Sequence, residues 1–122
     1  MIKSILLEGP LAQDTGVFTL QLDRKIEVKI PAEEARRKVN QFVHLELSTQ
    51  MRAETPTLVV GDQTLWRVPV HLTYPSFGDV GCVGYIEVHP ITSHLNTTLA
   101  TIEDIKKNAE NLARRFTSSA KG

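Results

Sequence analysis

Between Thr57 and His89 the chain reads TLVV, then TLWRVPVHLTY, then CVGYIEVH, and the apolar side chains of this stretch fall on one parity. Leu58, Val60, Trp66, Val68, Val70, Leu72, Tyr74, Val80, Cys82, Ile86 and Val88 all carry even numbers. Successive side chains of a strand point to opposite faces, so an alternation this long predicts a double hairpin with one buried face. Antiparallel partners share a face, which requires that paired residue numbers add to an even sum. A three-residue turn at Gly61, Asp62 and Gln63 meets that condition and pairs Val60 with Thr64 and Leu58 with Trp66. A slip of one residue would turn Trp66 into water and forfeit roughly 2 to 3 kcal/mol of burial. The second hairpin closes through Pro75, Ser76, Phe77, Gly78 and Asp79. It is expected to set Val68 opposite Val88, Val70 opposite Ile86, His71 opposite Tyr85 and Arg67 opposite His89. Pro69 lacks an N–H and fits only an edge, a bulge or a non-bonded position.

Upstream, Ile2 to Glu8 reads as a short strand ended by Gly9 and Pro10, and Leu11 to Gly16 as a loop. Phe18, Leu20 and Leu22, then Ile26, Val28 and Ile30, alternate with polar residues and predict a half-exposed hairpin. Pairing Leu22 with Ile26 sets Phe18 opposite Ile30, Gln21 opposite Glu27 and Thr19 opposite Lys29. Pro31 then opens PAEEARRKVNQ, a short helix with Glu33 and Glu34 at its positive end and Arg36, Arg37 and Lys38 toward its negative end. Ala32, Ala35 and Val39 make a narrow stripe, which fits a surface connector resting on the sheet. Phe42 to Leu47 alternates as a strand would, and Ser48 to Pro56 reads as a polar loop. After the double hairpin, HPITSHLNTT is a turn with a brief extension. Thr101 with Asp104 three residues on has the shape of a capping box, and Ile102, Ile105, Ala109, Leu112, Ala113 and Phe116 recur at helical spacing, so this last helix should cover the sheet. The tail beyond Phe116 should fray.

Composition limits the function classes. A chain of 122 residues has room for one domain and one main core. Its 14 basic and 14 acidic residues cancel, so no global field draws in nucleic acid. A basic run on the last helix, Lys106, Lys107, Arg114, Arg115 and Lys121, is interrupted by Glu103, Asp104 and Glu110 and has no stacking aromatics. The single Cys82 can form neither an internal disulfide nor a multi-cysteine zinc site, and its even number makes it a packed thiol. No run approaches the roughly 20 apolar residues of a membrane helix, and MIKSILLEGP lacks the flanks of a signal peptide, so a cytoplasmic protein without a membrane partner is expected.

No motif assigns a reaction. Arg67, His71, Tyr85, Glu87 and His89 share the odd face, the only concentration of ionisable side chains on one surface. In the expected register His71 and His89 stand about 13 Å apart at roughly 3.3 Å per residue, too far for one ion. The face reads instead as cross-strand charge pairing. Ser48, Ser76 and Ser93 lie in loops without a nucleophile elbow. Gly78, Gly81 and Gly84 precede or lie within a strand, so they open no phosphate-binding helix. Gly84 marks a bulge or a close approach by Leu72 or a helix. No catalytic, cofactor-binding or metal-binding residue is assigned, and no cofactor.

The run LWRVPVHLTYPSFGDVGCVGYIEVHPIT, followed by IEDIKKNAENLARR, resembles a group of short uncharacterised prokaryotic proteins. Their pattern is W-R-V-P-V, then G-x-V-G-x-V-G-x-I-x-V-D-x-x-T-G, before a terminal helix. The resemblance covers the second half of the chain. Where the pattern has aspartate at the end of the last strand and glycine in the turn, this sequence has His89 and Ser93. The resemblance implies a place beside toxin-type genes and carries over no catalytic residue.

These readings predict an α+β domain spanning 1–122, with a bent antiparallel sheet of about six or seven strands, one short helix and a terminal amphipathic helix packed on the sheet. The expected function is a non-catalytic interaction or regulatory module that forms a homodimer through the edge of its first strand or a sheet face, or engages a second protein. A small enzyme or ligand-binding domain with a pocket between sheet and helix is the first alternative. A nucleic-acid-binding regulator or toxin–antitoxin-like partner is the second.

Overall fold

The computed structural model describes the backbone of residues 5–7, 16–19 and 25–121 and the side chains of residues 26–117. The elements run β1 (Ile5–Leu7), β2 (Gly16–Thr19), β3 (Lys25–Val28), α1 (Ala32–Glu46), β4 (Met51–Ala53), β5 (Thr57–Val60), β6 (Thr64–Tyr74), β7 (Gly78–Val88), β8 (Leu95–Asn96) and α2 (Leu99–Lys121). Six strands form the main antiparallel sheet in the order β1, β5, β6, β7, β8, with β4 also on β6, and β2 and β3 form a separate pair. This is the α+β architecture expected, with six strands in the main sheet.

The first turn closes as its residues demand, with Val60 opposite Thr64 and Leu58 opposite Trp66. Trp66 is fully buried, and its indole Nε1 donates to the Ile30 carbonyl at 2.7 Å. The next hairpin departs from the expected register by two residues. Trp66, not Val68, faces Val88, Val68 faces Ile86, and Arg67 faces Glu87 instead of His89. The faces survive because the shift is even. Its cause is a tighter turn: Phe77 N–H donates to Tyr74 O at 3.1 Å and Gly78 takes φ +97°, a conformation that favours glycine.

Two irregularities, between Val70 and His71 and between Leu72 and Thr73, then let β7 carry one extra residue each against β6. They correct the assignment of Cys82. Val83 is the first extra residue and is itself buried, so the parity of β7 inverts below it. Gly81 pairs with Leu72 on the inner face, and Cys82 pairs with His71 on the outer one. The thiol is exposed, not packed. Pro69 lands in the gap on one side of β6 between the ladder to β5, which ends at Arg67, and the ladder to β4, which begins at Val70. Its missing N–H costs no ladder bond there.

Residues 42–46 are helix, not strand, and α1 runs 15 residues to Glu46, with Leu47 as its C-cap. Ala32, Ala35, Val39 and Val43 continue at three- and four-residue spacing, and all four are buried. Burying valines such as Val39 and Val43 contributes about 1.5 to 3 kcal/mol each, which outweighs the local strand-like alternation. The helix is therefore part of the core and no mere surface connector. Its basic cluster falls in mid-helix, leaving only His44 in the last turn. Near its start, Arg36 grips Glu33 through contacts of 2.6 and 3.0 Å, and that hydrogen bond holds the Glu33 carboxyl below its ordinary value.

The expected loop 48–56 contains β4, which pairs Met51 with Leu72 and Ala53 with Val70. Met51 and Ala53 are buried while Arg52 is exposed, an alternation too short to stand out in the sequence. Asn40 of α1 accepts the Ala53 N–H at 3.0 Å and so satisfies part of the outer edge of β4.

In the β2–β3 pair, Phe18 faces Ile26 and Gly16 faces Val28, four residues from the expected register. Ile30 is not free to pair with Phe18. Its N–H and that of Lys29 donate to Pro90 O, while its carbonyl accepts from Trp66. The expected contacts of Gln21 and Leu22 lie outside the described residues, as does the loop before β2. β1 pairs with β5, setting Ile5 opposite Val60 and Leu7 opposite Leu58.

The terminal helix starts earlier than the capping box at Thr101 and Asp104 implied. Thr98 is the cap: its Oγ1 accepts the Thr101 N–H at 3.1 Å, and its carbonyl accepts the Ile102 N–H at 3.0 Å. The helix continues to Lys121, past the expected fraying point at Phe116. It packs on β7, where two glycines remove the side chains that would hold it off. A Cβ on Gly84 would meet Ile105 Cγ1 at 2.6 Å, and one on Gly81 would meet Leu112 Cδ2 at 3.0 Å. Phe116 closes the far end against Tyr74 and Phe77, with ring centroids 5.2 and 4.7 Å away. Asn108 donates to the Val83 carbonyl at 2.9 Å, satisfying a bulge acceptor that the ladder leaves free.

Candidate functional site

The helices cover the inner sheet face and leave the outer one to solvent. On that face the corrected register brings Arg67 to 3.9 Å from Glu87 and 5.9 Å from the centre of the Tyr85 ring. His71 turns its Nδ1 to the Asp79 carboxylate at 2.8 Å, and Arg52 pairs with Glu54 at 2.6 Å. Both described arginines of this face therefore have a carboxylate beside them, Arg67 across the ladder and Arg52 two residues along the chain. Cys82 lies across the ladder from His71, but its thiol donates to the Gly84 carbonyl at 3.5 Å along its own strand. Among the described residues, no three His, Cys, Asp or Glu side chains gather closely enough to hold a metal ion. None of the described polar or charged side chains is fully buried.

His89 stands apart from His71, at the top of β7, where it organises the turn into β8. Its Nδ1 accepts the N–H groups of Ile91 and Thr92 at 3.2 and 3.3 Å, while its backbone N–H donates to His94 O at 2.9 Å. Ser93 holds φ +63°, the left-handed conformation that favours glycine. Its Oγ accepts a hydrogen bond from Lys38 Nζ at 2.7 Å, which ties the turn to α1. Ser48 is likewise structural, its Oγ accepting the Gln50 N–H at 3.0 Å.

Two concavities adjoin at His94. The first, of about 480 Å³, opens between β3, the start of β6 and the β7–β8 turn, with Leu65, Val88, Pro90 and Ile91 as apolar wall and Glu27, Glu87 and His94 among its polar groups. Its size falls within the roughly 300 to 1,000 Å³ of small-molecule sites. The second is a shallow groove of about 410 Å³ between α1 and β8, bounded by Lys38, Gln41, Phe42, Leu45, Ser93 and Leu95. Leu45 is 75% exposed although the opposite side of its helix is buried. Between the sheet and α2, where the ligand-binding alternative would have its pocket, Ile105 and Leu112 pack against Gly84 and Gly81.

Sequence reasoning gathered Arg67, His71, Tyr85 and Glu87 correctly on one face, but missed both concavities. Reading residues 42–47 as a strand hid Phe42 and Leu45, and the helical spacing from Ala35 through Val39 to Val43 was the signal that could have found them. Comparison with protein-family models, with curated proteins and with solved structures finds no match. Among the described residues no helix is long and apolar enough to cross a membrane.

Proposed function

We propose that this protein is a non-catalytic interaction module that assembles as a homodimer through the exposed side of α1. The observation that carries the reading is Leu45, 75% exposed and sharing a groove with Phe42 and Leu95. Single exposed leucines are ordinary, but an apolar side chain beside a half-buried phenylalanine and leucine marks a contact surface. A second copy is favoured because the helix carries its own complement. Antiparallel packing about a two-fold axis between Gln41 and Phe42 sets Glu46 of one copy beside Arg37 of its partner, and Leu45 beside the methylene stem of Lys38.

The strand edges support association less well. The described part of β1 has three residues, and β7 beyond its short contact with β8 carries both bulges and the Asn108 contact. Bulges and an overlying helix are devices that keep an edge from pairing. Sedimentation at tens of micromolar tests the reading. The expected species has twice the 13.6 kDa of one chain, and Leu45→Lys should convert it to a monomer with unchanged far-ultraviolet circular dichroism. A single monomeric species for the unaltered chain, or a dimer that persists in Leu45→Lys, overturns it.

A further inference from the structure

We infer that the cavity between β3, β6 and the β7–β8 turn is a binding site for a small organic cation, an amine carried on an apolar body. The inference does not rest on the dimer proposed above. Its first support is shape: a half-open concavity of about 480 Å³ whose wall is mostly carbon, from Leu65, Val88, Pro90 and Ile91. Such a wall desolvates the apolar part of a ligand and leaves a few polar groups to select its charge.

Those polar groups are one-sided. Among the described residues the lining holds two carboxylates, Glu27 and Glu87, of which Arg67 already pairs with Glu87, and neither lysine nor arginine. Among the described residues Glu27 has no ion-pair or hydrogen-bond partner. Glu87 is held in place from both neighbouring strands, by Asn96 Nδ2 at 3.4 Å and by Arg67 at 3.9 Å, the latter too long for a direct hydrogen bond. The His89 ring nitrogen that faces the turn is already engaged. His89 Nδ1 is occupied as the acceptor of two turn N–H groups, a role that an unprotonated nitrogen fills. His94 contributes its backbone to the same turn through its bonds to Thr92 and His89. An anion entering here would meet the Glu27 carboxylate beside an apolar wall, whereas an ammonium would gain a charge-assisted hydrogen bond to Glu27.

The test is a titration of the isotope-labelled full chain, followed by amide chemical shifts, with two probes of similar size and opposite charge: phenethylamine and phenylacetate. Phenethylamine should give saturable shifts at Leu65, Ile91 and Asn96, and Glu27→Gln should weaken it about tenfold, as loss of roughly 1.4 kcal/mol would. Phenylacetate should give none. Glu27 is an exposed strand residue, so Glu27→Gln should keep the fold, and its unchanged spectrum away from the cavity checks this. Equal or tighter binding of phenylacetate, equal binding of phenethylamine to Glu27→Gln, or no saturable shift by either probe would each overturn the inference.

Discussion

Replacing Gly84 by alanine should separate steric from backbone effects at the contact that seats α2. The new Cβ would lie 2.6 Å from Ile105 Cγ1, 3.4 Å from its Cδ1 and 3.8 Å from its Cβ. Ile105 is 1% exposed, and the closest atom sits next to its branch point, so the side chain cannot swing away. Overpacking of this kind costs about 1 to 3 kcal/mol. Gly84 also holds φ +159°, at the edge of the range an L side chain avoids, which adds on the order of 1 kcal/mol. Gly84→Ala should therefore lower stability by about 2 to 4 kcal/mol in urea unfolding. Ile105→Ala removes Cγ1 and Cδ1 and should by itself cost about 2 to 5 kcal/mol. In that background the nearest remaining side-chain atom of residue 105 is Cβ at 3.8 Å, an ordinary contact, and the methyl introduced by Gly84→Ala enters the vacated space. Only the backbone part of the Gly84→Ala cost should then remain. The double variant should accordingly be at least about 1 kcal/mol more stable than the sum of the single losses. Additive losses would refute the steric account and leave the conformation of Gly84 as its sole reason for being glycine.

Trp66→Phe should cost about 1 to 2 kcal/mol by leaving the Ile30 carbonyl without its donor, and Trp66→Ala about 3 to 5 kcal/mol, by chemical denaturation. Emission of the folded protein at a water-exposed wavelength would contradict the burial behind both figures. Thr98→Ala should lower stability by about 1 kcal/mol while Asp104→Asn changes it by less than about 0.5 kcal/mol, since Thr98 makes the cap. The reverse order would return the helix start to Thr101. Cys82 should react fully with a thiol reagent such as dithionitrobenzoate without denaturant; labelling that requires unfolding would restore the packed thiol.

Local pattern carried far where a mistake was expensive. The period-two run from Leu58 to Leu72 specified the inner face because any odd slip would expose Trp66 together with Val68 and Val70, and no local preference outweighs that. The Gly61 turn and the stripe of the terminal helix were legible for the same reason. Their residues must agree with only one neighbour in sequence.

Tertiary structure decided the rest. Residues 42–46 satisfy both a strand-like alternation and a helical spacing, and helix won because it buries Val43 in line with Val39 against β4 and β6. The exposure of Cys82 depended on Val83 becoming an extra residue, which follows from a three-residue turn at one end of the hairpin and α2 pressing on Gly84 along it. The register of the β2–β3 pair was set from Pro90 and Trp66, which claim the backbone of Ile30 from 60 and 36 residues away. Both concavities are assembled from segments distant in the chain, so no window of sequence contains them. The sequence determined which side chains must leave water; only the packed structure decided which loops, bulges and helix ends had to yield so that they could.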